Sequence, residues 1–298
     1  MSASDQPQIA DGYISINGHE LYVREVGAGH PLVLLHGGPD FNHNYLLPEM
    51  DHLADACRLI YYDQRGRGRS AAGVRPEDVS IESEMADLDH LRRYVRRPSV
   101  AVLGHSWGAL LAMEYATRHP DNVSHLILMN TAPASGHEVE RFRQMLRMSR
   151  PPGDVEMMRA ISASERYQAG DLEAEADYYR IHFRVTVPRP ENLELIVGRL
   201  RSDFTPSTVR TARAIEERLY EQTWTTADYD LIPRLQNLRV PALVLHGEQD
   251  FVPVGMAARI ADAIPGAELA VLRGCGHFLF LEDPQQVHDH ITALIDGR

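Results

Sequence analysis

Ser106 stands in Gly104-His105-Ser106-Trp107-Gly108, between an apolar run at 100–103 of strand length and a stretch at 109–118 that reads as a helix. A serine flanked in this way on a strand-to-helix turn suits nucleophilic chemistry. Glycines on either side let strand and helix approach closely while the serine takes a strained backbone angle. Its oxygen then projects at a helix N-terminus, where backbone N–H groups and the dipole favour developing negative charge.

A serine hydroxyl is a poor nucleophile until a base takes its proton, and the base needs a partner to fix its tautomer. Downstream, an apolar strand at 243–246 opens into Gly247-Glu248-Gln249-Asp250-Phe251-Val252-Pro253. Asp250, just past the strand end, is the candidate acid; Glu248 competes but lies nearer the strand. After the last strand, Arg273-Gly274-Cys275-Gly276-His277-Phe278 places His277 in a glycine-rich loop as the candidate base. The interval between acid and base fits one helix and one strand, and the order is serine, acid, histidine. Acyl transfer also needs donors for a tetrahedral oxyanion. The N–H of Trp107 is one, and Gly38 of His36-Gly37-Gly38-Pro39, after the strand at 31–35, is the second candidate. His36 is expected to brace its loop and Cys275 to be a small packed residue. Asp63 and Arg65 are expected to tie down the neighbouring loop, and Arg67 and Arg69 to be solvated.

These residues need a scaffold, and the pattern supplies one. Segments 13–17 and 20–26 read as a hairpin joined at Asn17-Gly18. Strands are expected at 31–35, 58–62, 100–103, 125–129, 241–246 and 268–272, with helices at 81–96, 256–264 and 284–295. From 134 to 230 no convincing strand occurs. Helical periodicity at 141–148, 155–162, 172–183 and 209–220 is broken by prolines at 151, 152, 188, 190 and 206. The expected organisation is an α/β core, 1–133 and 231–298, interrupted by an all-helical cap, 134–230. Alternating strands and helices imply a mostly parallel sheet covered on both faces. In such sheets ligands bind beyond the carboxyl ends of the strands. Every motif above falls at such an end.

The 298 residues, 44% hydrophobic and 24% charged, are ordinary for a globular protein. A net charge of −12 argues against nucleic acid or an anionic membrane as partner and leaves a small molecule or short peptide. No run approaches the ~18 apolar residues of a membrane span. The first twelve residues have neither a basic nor an apolar region of a signal peptide, so a cytoplasmic location is expected. Two cysteines, Cys57 and Cys275, are no disulfide framework. With no CxxC, HExxH or EF-hand pattern, no metal and no cofactor are expected. Oligomeric state has no signature in the chain.

With these residues in place the chain resembles the α/β-hydrolase superfamily over nearly its whole length. Within it, H-G-G-P at 36–39, D-Q-R-G-R-G-R-S at 63–70 and G-H-S-W-G at 104–108 are similar to the prolyl aminopeptidase (proline iminopeptidase) group. Those enzymes remove an N-terminal residue, often proline, from small peptides. The resemblance implies the α/β-hydrolase fold, a helical cap over the site, Ser106 as nucleophile, His277 as base, Asp250 as acid, and Gly38 and Trp107 as oxyanion donors. The chain departs from the group's H-G-G-P-G with Asp40. The group holds the substrate amine with cap glutamates, in one branch within Trp-x-x-Trp-Glu; here the cap has one tryptophan, Trp224. Glu191, Glu194, Glu216, Glu217 and Glu221 are its candidate amine ligands, against the simpler reading of solvated helix faces. The alternative activity is an esterase or lactonase of the same fold, acting on a small carboxylic ester, thioester or lactone. An epoxide hydrolase or dehalogenase is disfavoured because the strand-to-helix elbow at 104–108 carries serine rather than aspartate. A non-catalytic binding protein would be expected to have lost one of the three catalytic residues.

Overall fold

The computed structural model describes residues 9–226 and 228–297; the first eight residues of the segment read for a signal peptide lie outside them. The chain runs β1 (Ile9–Ile16), β2 (His19–Val26), β3 (His30–Leu35), β4 (Cys57–Tyr62), α1 (Ile81–Tyr94), β5 (Val100–His105), α2 (Trp107–Arg118) and β6 (Val123–Met129). Six helices follow: α3 (Gly136–Ser149), α4 (Pro152–Ala163), α5 (Glu165–Gln168), α6 (Leu172–Phe183), α7 (Pro190–Leu200) and α8 (Pro206–Glu221). The chain closes with α9 (Ile232–Leu235), β7 (Ala242–Gly247), α10 (Val254–Ala263), β8 (Glu268–Leu272), α11 (Leu279–Glu282) and α12 (Pro284–Ile295).

The strands form one eight-stranded sheet in the order β1-β2-β4-β3-β5-β6-β7-β8. β1–β2 and β2–β4 pair antiparallel, and every other neighbouring pair is parallel. Central strands read as continuous apolar runs because both faces are covered. Alternate residues of β3 therefore serve two cores. Val33 and Leu35 pack with Leu88 and Leu91 of α1 and Leu110 and Leu111 of α2, while Leu32 and Leu34 pack on the face that holds Val287 and Ile291 of α12. From β3 the chain steps outward to β4 and then crosses back to β5, so the order reverses between β3 and β5. Ligand crevices open at such a switch point. The two strand ends there carry residues 36–39 and Ser106.

Between β6 and β7 the described residues hold helices and one isolated bridge, Ser135 to Asp230, and no strand. α7 begins at Pro190, where the sequence suggested a break. Proline at the first helical position gives up an N–H that has no acceptor there anyway, so it starts a helix rather than ending one. Pro206 opens α8 in the same way, behind a Thr205 cap.

Arg67 corrects a second expectation. It is fully buried, pairs with Glu84 at 2.6 Å and donates to Gln64 Oε1 at 2.7 Å. Arg69 reaches Asp203 at 2.8 Å and lies over the Tyr22 ring at 4.2 Å, linking the β4 loop to the helical segment. Arg65 pairs with Asp87 of α1, and Asp63 accepts from His43 Nδ1 at 2.6 Å and Arg69 N at 2.8 Å. Cys57 and Cys275 are both buried and unpaired.

The tight crossing of α2 over β3 makes a prediction. A methyl on Gly108 would overlap the Leu35 carbonyl, whereas one on Gly198 in α7 meets open space. Urea unfolding is expected to show Gly108→Ala losing about 2 kcal/mol or more, and Gly198→Ala gaining about 0.5–1 kcal/mol.

Candidate active site

Ser106 has φ +55° and ψ −117°, a conformation that costs a non-glycine residue about 1–3 kcal/mol and persists only where its surroundings enforce it. They do so here. A methyl at Gly104 would overlap the Gly108 carbonyl, Ser106 N donates to Met129 O at 3.0 Å, and Ala109 N donates to Ser106 O at 2.9 Å. Trp107 is the first residue of α2, so its N–H has no acceptor within the helix. Its indole is fully buried against Tyr220 and Trp224. On the facing loop Gly38 has φ +116°, a left-handed angle suited to glycine. His36 is buried, accepts from Gln64 N at 3.1 Å and donates from Nδ1 to Gly37 O at 2.9 Å. Burial, with Arg67 nearby, lowers its pKa to about 3, so it braces the loop as a neutral ring.

His277 Nδ1 lies 3.0 Å from both carboxylate oxygens of Asp250. Asp250 also accepts from Asn130 Nδ2 at 2.7 Å and Val252 N at 3.0 Å, with His246 Nε2 at 3.7 Å. Burial alone would raise its pKa, but the charges of His277 and His246 and the hydrogen bonds outweigh it and set the group at about 2. The carboxylate is thus an acceptor through the neutral range. An imidazole that donates from Nδ1 to this carboxylate presents Nε2 as the nitrogen that can accept a proton. The imidazole is stacked on Phe251, centroids 4.4 Å apart, and lines the same cavity as Ser106 and Gly38. Glu248 instead is exposed and accepts from Gly274 N at 3.2 Å.

Buried hydrogen bonds join the loops that carry these groups. Gly37 N donates to Tyr45 Oη at 2.7 Å, Tyr45 Oη donates to His105 Nδ1 at 2.8 Å, and His105 Nε2 donates to His277 O at 2.8 Å. The proton positions follow from the carbonyl at one end and the amide at the other. His105 is neutral, its pKa lowered to about 3 by burial and then by His277. Asn130, with φ +47° at the end of β6, donates to Gly276 O at 2.9 Å as well as to Asp250. Thr186, between α6 and α7, accepts His277 N on its carbonyl at 3.1 Å and Phe251 N on its hydroxyl at 3.0 Å. Sequence reasoning assigned no role to Asn130, Tyr45, His105 or Thr186. Asn130 carried a signal, its place at a parallel strand end; Tyr45 and Thr186 carried none.

The cavity holds about 500 Å³ and is walled by core residues on one side and residues of α3, α4, α6 and α8 on the other. Of the five glutamates singled out, Glu216 lines it, while Glu191, Glu194, Glu217 and Glu221 are exposed. Glu216 accepts from Tyr220 Oη at 2.7 Å, and burial followed by the charge of Asp40 pushes its carboxyl up to about 8. Asp40, the departure from H-G-G-P-G, is buried and engaged. It pairs with Arg201 and accepts from Tyr179 Oη at 3.0 Å. No group of three or more His, Cys, Asp or Glu that could hold a metal ion occurs among the described residues.

A family model described as alpha/beta hydrolase fold matches residues 30–284. The chain belongs to the alpha/beta hydrolase family. This hydrolase is 32% identical over 281 residues to proline iminopeptidase of Lactiplantibacillus plantarum, covering 90% of this chain and 93% of that protein. The crystal structure of proline iminopeptidase from Mycobacterium smegmatis superposes with a TM-score of 0.72 at 25% identity, covering 97% of this chain and 98% of that one. An enol-lactonase from Burkholderia xenovorans LB400 shares the fold, with a TM-score of 0.65 at 22% identity over 96% of this chain and 100% of that one. The chain is therefore an enzyme of the hydrolase class. No helix among the described residues is long and apolar enough to cross a membrane.

Glu216 makes the pH dependence of stability a test of this electrostatic description. Folded, the group keeps its proton to about pH 8; unfolded, it releases it near 4.5. Native protein thus binds more protons than unfolded protein between these values, and stability falls as pH rises through them. Glu216→Gln removes that slope. Urea melts at pH 5 and pH 8.5 are expected to show the variant gaining on wild type at the higher pH. An unchanged gap means that the carboxyl is already ionised in the folded chain.

Proposed function

We propose that this hydrolase works through a Ser-His-Asp triad and an acyl-enzyme, and that it acts as a prolyl aminopeptidase releasing an N-terminal residue from small peptides. In this reading Ser106 Oγ attacks the scissile carbonyl while His277 Nε2 takes its proton. Asp250 keeps the imidazole in the required tautomer and stabilises the imidazolium. The N–H groups of Gly38 and Trp107 receive the oxyanion. The proton then passes from His277 to the leaving amine, and water, deprotonated by the same histidine, releases the acyl group. The observation that supports this most is the His277 ring held at 3.0 Å by both oxygens of Asp250 while it faces the cavity that Ser106 lines.

Residues 134–230 serve as the cap, since α3, α4, α6, α8 and Trp224 supply the wall facing Ser106. Glu216 is the cap carboxylate placed to accept a substrate amine; an arriving ammonium favours its charged form and draws its proton away. The likeness to proline iminopeptidases supports the peptide substrate. Unpaired Cys57 and Cys275 fit a cytoplasmic enzyme. A small ester or lactone is the second reading. It is favoured by one observation: Asp40 is paired with Arg201 and the Glu216 carboxyl is pushed up, so the cavity offers an amine no free negative charge.

Turnover of Pro- and Ala-p-nitroanilide beside a p-nitrophenyl ester series separates the two. The aminopeptidase reading expects kcat/KM on the anilides to exceed that of the same assay with Glu216→Gln by tenfold or more, about one charge-assisted hydrogen bond. Turnover confined to esters removes the peptidase assignment. Ser106→Ala should lower kcat on any substrate by about a thousandfold or more, with the melting curve retained.

A further inference from the structure

We propose that the substrate of this hydrolase carries a carboxylate, taken up at the α3 wall of the cavity by Arg143 and Arg147. The inference rests on the hydrolase reading above and deepens it by naming a feature of the substrate.

α3 turns one stripe toward the lumen: Val139, Phe142, Arg143, Leu146 and Arg147 line the cavity, and so does Arg150, the extended residue that follows the helix. Their spacing of three and four residues is that of a single helix face. Arg143 and Arg147 therefore stand about one helical turn, roughly 6 Å, apart on one wall, with Arg150 just past the end of the helix. Arg150 is buried and donates to the carbonyls of Ile181 at 3.2 Å and His182 at 2.9 Å. These belong to the last turn of α6, whose dipole offsets part of that charge. Arg143 has no hydrogen bond or ion pair among the described residues. Arg147 has Glu140 at 3.6 Å, with side chains 58% and 72% exposed, a pairing of little strength.

Among the described residues the carboxyl groups that line the cavity are Asp40 and Glu216, and neither cancels this charge. Asp40 is neutralised by Arg201, and Glu216 is hydrogen-bonded to Tyr220 with its carboxyl pushed toward the neutral form. A chain of net charge −12 thus sets an unpaired Arg143 and a weakly paired Arg147 at the lumen of its active-site cavity. Such a field raises the local concentration of anionic ligands and disfavours purely cationic ones. A carboxylate suits the planar fork of arginine, which offers two parallel donors.

The position relative to the chemistry also fits. Phe142 stacks on Phe251 at 5.6 Å between centroids, and Phe251 stacks on His277 at 4.4 Å. Arg143, next to Phe142 on α3 and within electrostatic reach of Tyr220, lines the same cavity as Ser106 and His277. Two substrates present an anion there: a di- or tripeptide with a free C-terminus, and an ester with an acid end.

Two matched pairs test the inference and tell the sources apart: Pro-Gly against Pro-Gly amide, and p-nitrophenyl hydrogen succinate against p-nitrophenyl butyrate. In at least one pair the acid is expected to exceed its neutral partner about tenfold in kcat/KM, chiefly through KM. In the Arg143→Gln/Arg147→Gln double variant that ratio should fall toward one. A ratio near one for both pairs in wild type, or a ratio that survives in the double variant, overturns the inference and leaves the arginines as solvated rim residues. Calorimetric titration of Ser106→Ala protein with succinate and with succinamide reads the site without chemistry. Binding of succinate alone, lost when both arginines are replaced, supports it. No binding of succinate overturns it even where Ser106-dependent turnover stands. Succinate binding with no Ser106-dependent turnover of any substrate keeps the anion site and removes the serine-hydrolase reading.

Discussion

The run of hydrogen bonds from Gly37 through Tyr45 and His105 to the carbonyl of His277 is the constraint on which the site depends. It joins the loop after β3 and the end of β5 to the loop after β8, a strand that β6 and β7 separate from β5. Each member is buried, so each polar atom needs its partner and a displacement of one loop leaves another unsatisfied. Neutrality of His105 is part of the design: only a neutral imidazole can accept from Tyr45 at one nitrogen and donate to His277 at the other. Burial, which lowers its pKa, supplies that state without a dedicated charge.

Electrostatics then divides the site into distinct environments. Around Asp250, hydrogen-bond donors and two histidines keep a buried carboxylate ionised. Around Glu216, burial and a neighbouring aspartate push a carboxyl the other way. Asp40 lies between the two walls. Its pairing with Arg201, which also pairs with Glu175 at 2.8 Å, ties the loop after β3 to the helices that face it. Breaking one partner of such a buried cluster leaves an uncompensated charge, so the residue that departs from H-G-G-P-G has a structural task in holding the two walls of the cavity together.

The central strands and the helices at 172–183 and 284–295 were legible because each announces its period and its ends locally. The elbow was legible for the same reason: the glycines that permit it lie within two residues of Ser106. α7 was missed because proline reads as a breaker unless its position in the helix is known, and that position depends on the fold. Arg67 was misread because its burial comes from Glu84 and Gln64, partners that only the folded loop brings around it. Tyr45, Thr186 and Asn130 act on groups scores of residues away, which no local pattern encodes. Among the glutamates of the helical segment, helical phase places Glu216 and Glu217 next to each other. Only the docking of α8 on the core decides that the first faces the cavity and the second faces solvent.

The account stands on an alcohol at Ser106 being activated by the imidazole of His277. Reaction with a fluorophosphonate, followed by peptide mass spectrometry, measures this most directly. One adduct is expected, on the peptide containing Ser106, formed at least about a hundredfold more slowly in His277→Ala, the scale of general-base assistance. An adduct on another residue, or a rate at Ser106 that the loss of the imidazole leaves unchanged, contradicts it.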